Sequence, residues 1–135
     1  MTYYLDTSAA VKLVKPEAES SSLRAFLTNM AENSAGGGIV AGDILRTELV
    51  AAVLRAGMPR SAAVDVLDSV HLLRLTGAIC EMAGSLAGEL GLRSLDALHL
   101  AAAVSARHLI QGVITYDTRF ALAARELGFV VESPA

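Results

Sequence analysis

The chain has 135 residues, 53% of them hydrophobic, and a formal net charge of −3. This length predicts one domain over residues 1–135, and the apolar content excludes a disordered chain. The sequence contains no apolar run approaching the roughly 18 residues of a membrane span and no basic leader typical of a signal peptide. Its single cysteine, Cys80, excludes an internal disulfide and is expected to be a buried, inert thiol. We therefore expect a cytoplasmic protein with no membrane contact.

Short apolar runs alternate with amphipathic segments along the whole chain. Strands are predicted at residues 2–5, 39–41, 73–75, 113–115 and 129–131. Helices are predicted at residues 8–14, 17–31, 44–56, 62–71, 78–90, 95–107 and 119–127, with a loop at 33–38. The predicted N-caps are Asp43, Ser61, Ser94 and Thr118. This alternation predicts an α/β sandwich around a parallel sheet.

Two acidic residues follow predicted strands. Asp6 comes directly after the first strand, and Asp117 follows the strand at 113–115 by one residue. Ligand-binding and active sites of parallel α/β sheets lie just beyond the carboxyl ends of the strands. Taken singly, each residue is better explained as a turn or cap, because Asp is common in both.

Two further acidic residues lie on helices that are largely apolar. Glu48 shares a helical stripe with Ile44, Ala51 and Ala52, so its carboxylate must be paired, protonated or bound to a metal. The alternatives are a salt bridge to a buried arginine or a place at the edge of the stripe. Asp96 lies in the first turn of its helix, where acids are favoured in general. The rest of that helix is nearly all apolar, which places its first turn near the core.

Together the four carboxylates indicate more than each does alone. No Cys or His cluster accompanies them, and all-oxygen ligation selects hard cations such as Mg²⁺ or Mn²⁺. Several carboxylates can share a pocket only if a cation offsets their repulsion or if some stay protonated. The reaction class that suits such a site is phosphoryl transfer, in which a metal activates water and stabilises the leaving oxygen.

Four short motifs, in order along the chain, carry a resemblance to a known family. They are Tyr4-Leu5-Asp6-Thr7-Ser8-Ala9, Thr47-Glu48-Leu49, Leu95-Asp96-Ala97-Leu98-His99-Leu100-Ala101-Ala102-Ala103 and Thr115-Tyr116-Asp117-Thr118-Arg119-Phe120. With these motifs the chain resembles PIN domains, specifically the VapC-type ribonuclease toxins. The resemblance covers essentially the whole chain.

The resemblance implies a three-layer α/β/α sandwich with a short-stranded parallel sheet. It also implies a metal-dependent endoribonuclease, the toxin of a type II toxin–antitoxin system, which forms a homodimer and is inhibited by a cognate VapB-like antitoxin. The quartet of Asp6, Glu48, Asp96 and Asp117 would be catalytic and bind Mg²⁺ or Mn²⁺, with Asp6 and Asp96 as direct ligands. The supporting hydroxyls would be Thr7, Ser8 and Thr115. Whether one or two metal ions bind is left open.

Several other residues have competing interpretations. Arg119 is the preferred candidate for holding RNA phosphates, ahead of Arg93 and Arg107. His99 is interpreted as a packed core histidine rather than as a general acid. Tyr116 stands where many PIN relatives have a small or amide side chain, and its ring is expected to narrow the substrate entrance.

The antitoxin is expected to place an amphipathic helix in a groove between the two N-terminal helices and the Glu48 helix. One alternative function is a catalytically silent PIN module that binds RNA or protein. Another is a phosphatase of the haloacid-dehalogenase type. That chemistry usually needs a second acid where Ser8 stands, and a later lysine, whereas the only lysines are Lys12 and Lys15.

Overall fold

A five-stranded parallel sheet forms the centre of the computed structural model, which describes residues 1–33 and 37–135. The strands are β1 (Thr2–Leu5), β2 (Gly38–Gly42), β3 (Val70–Leu73), β4 (Gly112–Ile114) and β5 (Val130–Glu132). The helices are α1 (Thr7–Val14), α2 (Ser20–Asn33), α3 (Ile44–Arg55), α4 (Arg60–Leu67), α5 (Gly77–Leu90), α6 (Ser94–Ser105) and α7 (Thr118–Glu126). The strand order is β3-β2-β1-β4-β5. The predicted α/β class with a parallel sheet is confirmed.

Strand β1 lies at the middle of the sheet. Its residues Tyr3, Tyr4 and Leu5 are all buried, as expected of a parallel strand covered on both faces. Tyr4 is paired with Val40 of β2 on one side and with Val113 of β4 on the other. Both tyrosines therefore pack within the core of the sheet.

The helices form two groups that complete the three-layer α/β/α arrangement. In one group, α1 packs against α2, α3 and α4. In the other, α6 packs against α5, α7 and strand β2. Helix α6 can sit this close to its neighbours because its buried face is mostly alanine, from Ala97 to Ala103.

The region after α4 differs from the prediction. The helix predicted at 62–71 ends at Leu67, and the edge strand is Val70–Leu73 instead of 73–75. The reason is the ladder with β2, in which Ile39 pairs with Val70 and Gly42 with Leu73. These pairs satisfy the backbone groups on the outer side of β2, which a longer α4 would leave unpaired.

Three of the four predicted N-caps are wrong, and the fourth, Asp43, occupies the N-cap position of α3. Asp43 flanks α3 in a helical conformation without a capping hydrogen bond, and its carboxylate accepts instead from Arg46 Nε at 3.2 Å. Ser61, Ser94 and Thr118 all lie inside helices that begin one or two residues earlier than predicted. An N-cap needs an extended backbone just before the helix, and that position falls to Pro59, Arg93 and Asp117.

Cys80 is exposed, so the prediction of a buried thiol is wrong. The buried face of α5 consists of Ile79, Ala83 and Leu86. Each helical residue is rotated by about 100° from the one before it, which carries Cys80 out of that face.

Part of the loop predicted at 33–38 falls on residues 34–36, which lie outside the described residues. On either side of them, Asn33 is the last residue of α2 and Gly38 is the first of β2. Within the ranges that the structure describes, no helix is both long and apolar enough to cross a membrane.

Candidate active site

The candidate site lies where the carboxyl ends of β1 and β4 meet. From β1 the chain continues to β2 on one side, whereas β4 is added on the other side. This is a topological switch point, the place where open α/β sheets form a crevice for ligands. The backbone holds the two strand ends together, because Asp6 N donates to Ile114 O at 3.0 Å.

Hydroxyl groups hold the Asp6 carboxylate in place. Asp6 is buried, and its Oδ2 accepts hydrogen bonds from Ser8 Oγ and Thr115 Oγ1, each at 2.8 Å. Thr115 Oγ1 in turn accepts from Asp117 N at 3.1 Å, and Ser8 Oγ accepts from Tyr116 N at 2.9 Å. The two hydroxyls therefore connect the end of β1 to the loop after β4.

Asp117 has two roles at this edge. Its backbone is extended, and its Oδ1 accepts from Phe120 N at 3.0 Å, which caps α7. The Asp117 backbone amide is also bonded to the Thr115 hydroxyl. The cap fixes the orientation of the carboxylate and leaves its second oxygen for another partner.

Glu48 approaches from α3, at the edge of that helix's buried face. Leu45 and Leu49 are fully buried, whereas the Glu48 side chain is 20% exposed. Its Oε1 accepts from Thr7 Oγ1 at 2.8 Å and lies 2.6 Å from His99 Nε2. The carboxylate is paired, as its position on the helix required, but with a histidine rather than an arginine.

His99 links Glu48 to the centre of the sheet. The ring is only 1% exposed, and its Nδ1 lies 2.7 Å from the hydroxyl of Tyr4. That hydroxyl accepts from Gly42 N at 2.8 Å. Burial raises the pKa of the Tyr4 phenol, although the hydrogen bond from Gly42 opposes this, so the phenol keeps its proton. His99 is buried, as predicted, but its hydrogen bonds to Tyr4 and Glu48 were missed.

Asp96 faces the other acids from the first turn of α6. Burial raises the pKa of its carboxyl group, and the charges of Asp117, Asp6 and Glu48 raise it further, while His99 acts in the opposite direction. Its carboxylate accepts no hydrogen bond from the part of the chain that the structure describes. Asp96 is therefore the member of the quartet held least by the protein.

The quartet suits a hard divalent cation in donor type and charge. Asp6 Oδ1, Glu48 Oε2 and Asp117 Oδ2 accept no hydrogen bond from the described residues, and none of them is sealed from solvent. As these side chains stand, no three His, Cys, Asp or Glu groups in residues 1–33 and 37–135 are close enough to hold a metal ion. A cation would have to draw carboxylates together, and relief of their mutual repulsion would favour this.

Tyr116 forms part of the surroundings of the site. Its hydroxyl donates to Pro134 O at 2.6 Å, and Lys12 Nζ lies 4.8 Å from the centre of its ring. The lysine also forms ion pairs with Glu19 at 2.8 Å and Glu17 at 3.7 Å. Tyr116 therefore joins α1 to the C-terminal residues. Whether it narrows a substrate entrance stays a prediction.

The arginines differ in their relation to the acids. Arg119 is exposed on α7, within two residues of Asp117. Arg107, another arginine considered as a candidate for holding RNA phosphates, does not lie beside the acids. Its guanidinium lies 4.1 Å from the centre of the Phe129 ring and donates to Leu127 O, beside the amino end of β5. Helix α6 begins at the carboxyl ends of the strands, where the acids lie, and ends near the amino ends of the strands.

A groove of about 360 Å³ begins at Glu48 and passes an arginine that the sequence reading missed. It is lined by Thr7, Thr47, Glu48, Ala51, Ala52, Arg55 and Leu95. Arg55 lies seven residues after Glu48, on the same face of α3 and about 10 Å along its axis. This spacing on the predicted helix could have identified Arg55 from the sequence.

Comparisons with known proteins agree on the family. Residues 3–126 match the PIN domain family. The chain is 39% identical over 133 residues to Ribonuclease VapC47 of Mycobacterium tuberculosis, covering 97% of this chain and 96% of that protein.

Solved structures share the fold at lower identity. VapBC2 from Rickettsia felis, bound to a DNA fragment from its promoter, has a TM-score of 0.74 at 18% identity, with complete coverage of both chains. A toxin–antitoxin complex from Klebsiella pneumoniae has a TM-score of 0.66 at 18% identity, covering 98% of each chain. The family match favours this assignment over a haloacid-dehalogenase phosphatase. The chain belongs to the PIN-domain family, among the VapC-type ribonucleases.

Proposed function

We propose that this protein is an endoribonuclease dependent on Mg²⁺ or Mn²⁺ and acts as the toxin of a toxin–antitoxin pair. The observation that carries the proposal is the convergence of four carboxylates at the switch point of the sheet. Burial raises the pKa of Asp96, and the charges of the other three acids raise it further, as expected of a group of acids that a cation would neutralise. Relatives with ribonuclease names over nearly the full length of the chain support the same reaction.

In this proposal Asp6 and Asp96 bind the cation directly, and Glu48 and Asp117 bind it directly or through water. A bound divalent cation would activate water for attack on the phosphodiester and stabilise the leaving oxygen. Ser8 and Thr115 keep the Asp6 carboxylate oriented by donating to one of its oxygens. Thr7 does the same for Glu48. These contacts spare the carboxylates the reorientation that free side chains would need.

The groove from Glu48 to Arg55 suits single-stranded RNA. Ala51 and Ala52 leave space on the surface of α3, and Leu95 offers an apolar side chain that is 47% exposed. Arg55 forms no ion pair within residues 1–33 and 37–135, so its charge is available for a phosphate. Arg119 would serve a second phosphate beside Asp117. Cationic contacts of this kind position the backbone without selecting its sequence.

The antitoxin would cover apolar surface on α3 and α4. Leu54 and Val64 are 48% and 41% exposed, and a second groove of about 410 Å³ is lined by Val50, Ala51 and Leu54 together with Arg46 and Arg60. An amphipathic helix could lie in such a groove. This face lies on α3 and α4, whereas the sequence reading expected a groove between α1, α2 and α3. The resemblance to a toxin–antitoxin complex supports a partner of this class.

The metal-dependent reaction is tested by incubating purified protein with a defined single-stranded RNA, with Mg²⁺, with Mn²⁺ or with excess EDTA. We expect cleavage only with the cations and products ending in 5′-phosphate and 3′-hydroxyl groups, because the attacking group is water. Undiminished cleavage in EDTA, or 2′,3′-cyclic phosphate ends, would contradict the proposal and favour acid–base catalysis by His99.

The antitoxin and the homodimer are tested separately. Co-expression with the product of a neighbouring small gene should give a stable complex with suppressed cleavage. Light scattering of the isolated protein should give the mass of two chains. A monomer that binds no such product would overturn both expectations and leave the nuclease reaction untouched.

A further inference from the structure

A buried chain of hydrogen bonds connects the middle of the sheet to Glu48. It starts at Gly42 N, passes through the Tyr4 hydroxyl to His99 Nδ1, and leaves His99 Nε2 for Glu48 Oε1. The successive distances are 2.8, 2.7 and 2.6 Å. Residues on β2, β1, α6 and α3 therefore share one continuous path.

The direction of this path follows from counting protons. The Tyr4 oxygen accepts from the Gly42 amide, so its single proton is free to be donated to His99 Nδ1. With Nδ1 as acceptor, the neutral ring carries its proton on Nε2 and donates it to Glu48 Oε1 at 2.6 Å, with Thr7 Oγ1 also 2.9 Å from this nitrogen. Thr7 Oγ1 donates to the same oxygen. Two donors thus fix Oε1, and Oε2 keeps no partner among the described residues.

We propose that Tyr4 and His99 are positioning residues that hold Glu48 by one oxygen and keep the other directed to the catalytic site. This inference rests on the proposed function, because it treats Glu48 as part of the acidic quartet. Neither residue touches the reacting atoms. Hydrogen-bonded partners behind a metal-binding carboxylate or imidazole commonly change metal affinity or activity by about 10- to 100-fold.

Gly42 makes room for this arrangement. A Cβ atom built on Gly42 would lie 3.0 Å from the Tyr4 hydroxyl, 3.2 Å from Leu75 and 3.3 Å from Ala102. Any larger residue must displace one of these groups, and the Tyr4 hydroxyl is the nearest. The same glycine therefore donates to the tyrosine and leaves the space that the tyrosine occupies.

The decisive variant is Tyr4→Phe, which removes one oxygen, and its matched control is Tyr3→Phe. Tyr3 is the neighbouring residue of the same strand. Its ring packs edge-on against Phe26, with 5.5 Å between the ring centres, and takes no part in the chain of hydrogen bonds. For each variant we would measure thermal stability, Mn²⁺ affinity by calorimetry without RNA, and kcat and KM for RNA cleavage. Nitrogen NMR of the imidazole would identify the His99 tautomer.

We expect Tyr4→Phe to weaken Mn²⁺ binding and lower kcat, each by about tenfold, with KM for RNA unchanged. Tyr3→Phe should match the wild type in both, and wild-type His99 should be the Nε2–H tautomer. Gly42→Ala should shift Mn²⁺ affinity in the same direction as Tyr4→Phe.

A merely structural role would lower the melting temperature of Tyr4→Phe and leave Mn²⁺ affinity and kcat unchanged, which overturns the inference alone. An Nδ1–H tautomer in the wild type overturns it too. A wild-type protein that binds no Mn²⁺ and cleaves no RNA overturns the proposed function together with the inference.

Discussion

The two halves of the candidate site are held in different ways. Asp6 and Asp117 follow strands, and their carboxylates are tied to backbone amides or to hydroxyls that bond the backbone. Glu48 and Asp96 are carried by helices. Glu48 is held only by other side chains, and Asp96 accepts no hydrogen bond from the described chain. The strand half is therefore built into the fold, whereas Asp96 in the helix half can change with little cost to the fold.

The largest effect is expected in the helix half of the site, where a substitution should remove activity and leave the protein folded. Asp96→Asn keeps the size of the side chain but removes a charge from the quartet. We expect cleavage to fall by about a hundredfold or more, as when a charge-stabilising group is lost from other active sites. Initial rates at saturating Mg²⁺ would measure it.

The control is Asp68→Asn. This exposed aspartate lies just before β3, at the amino ends of the strands, whereas the acids lie at the carboxyl ends. It should cleave at the wild-type rate. A folded Asp96→Asn protein with full activity would show that the acidic quartet is not the catalytic group.

The strand half should couple activity to stability. Asp6→Ala removes the acceptor for the Ser8 and Thr115 hydroxyls and should cost about 2 kcal/mol of unfolding free energy. That corresponds to a melting temperature lower by about 6–10 °C for a domain of this size. Asp96→Ala should abolish cleavage without any such decrease. Equal losses of stability in the two variants would contradict the difference between the halves.

Smaller effects are expected from the two arginines, one beside each half. Arg55→Ala and Arg119→Ala should each raise KM for RNA by about three- to tenfold with kcat unchanged. Each should also make the dependence of log affinity on log salt shallower by about one unit. Exposed Arg125, at the far end of α7, provides the control. A change in kcat with constant KM would assign these arginines to the chemical step instead.

The smallest effect is a dependence of stability on pH. Burial and the neighbouring acids raise the pKa of Asp96, so the folded protein binds that proton more tightly than the unfolded chain does. The free energy of unfolding therefore falls as pH rises from the ordinary carboxyl value of 3.8 through the raised value, and it stays lower at neutral pH.

Asp96→Asn removes this cost. In EDTA at pH 7 its melting temperature should exceed that of the wild type by about 1–3 °C, because the group is only partly buried. The difference should vanish below about pH 4. A variant less stable than the wild type at pH 7 would show that the repulsion does not act on Asp96.

The sequence predicted the class of fold and the edge where the acids meet. Runs such as Tyr3-Tyr4-Leu5 have one plausible structure, a buried strand, and strands of one sheet bring Asp6 and Asp117 to the same edge. Edge strand β3 was misplaced because only Val70 of its four residues is buried and its apolar pattern is weak. Three of the four caps were displaced by one or two residues because a helix start depends on the backbone angles of a single residue.

The link between Tyr4 and His99 could not be predicted in this way. The two residues are 95 positions apart, and each has an ordinary local explanation as a core side chain. Only the packing of α6 on β2 brings the ring within reach of the hydroxyl. Pairings of this kind depend on tertiary contacts that periodicity does not encode.

The pairing of β1 with β4 has a consequence for the timing of synthesis. Asp6 emerges early from the ribosome, but its partner hydroxyl on Thr115 is 109 residues later. At synthesis rates of about 5–20 residues per second, that interval is about 5–20 s. Throughout it the central strand lacks one neighbour and the acids remain apart. The acidic edge of a nascent chain is therefore incomplete until the last part of the protein has been synthesised.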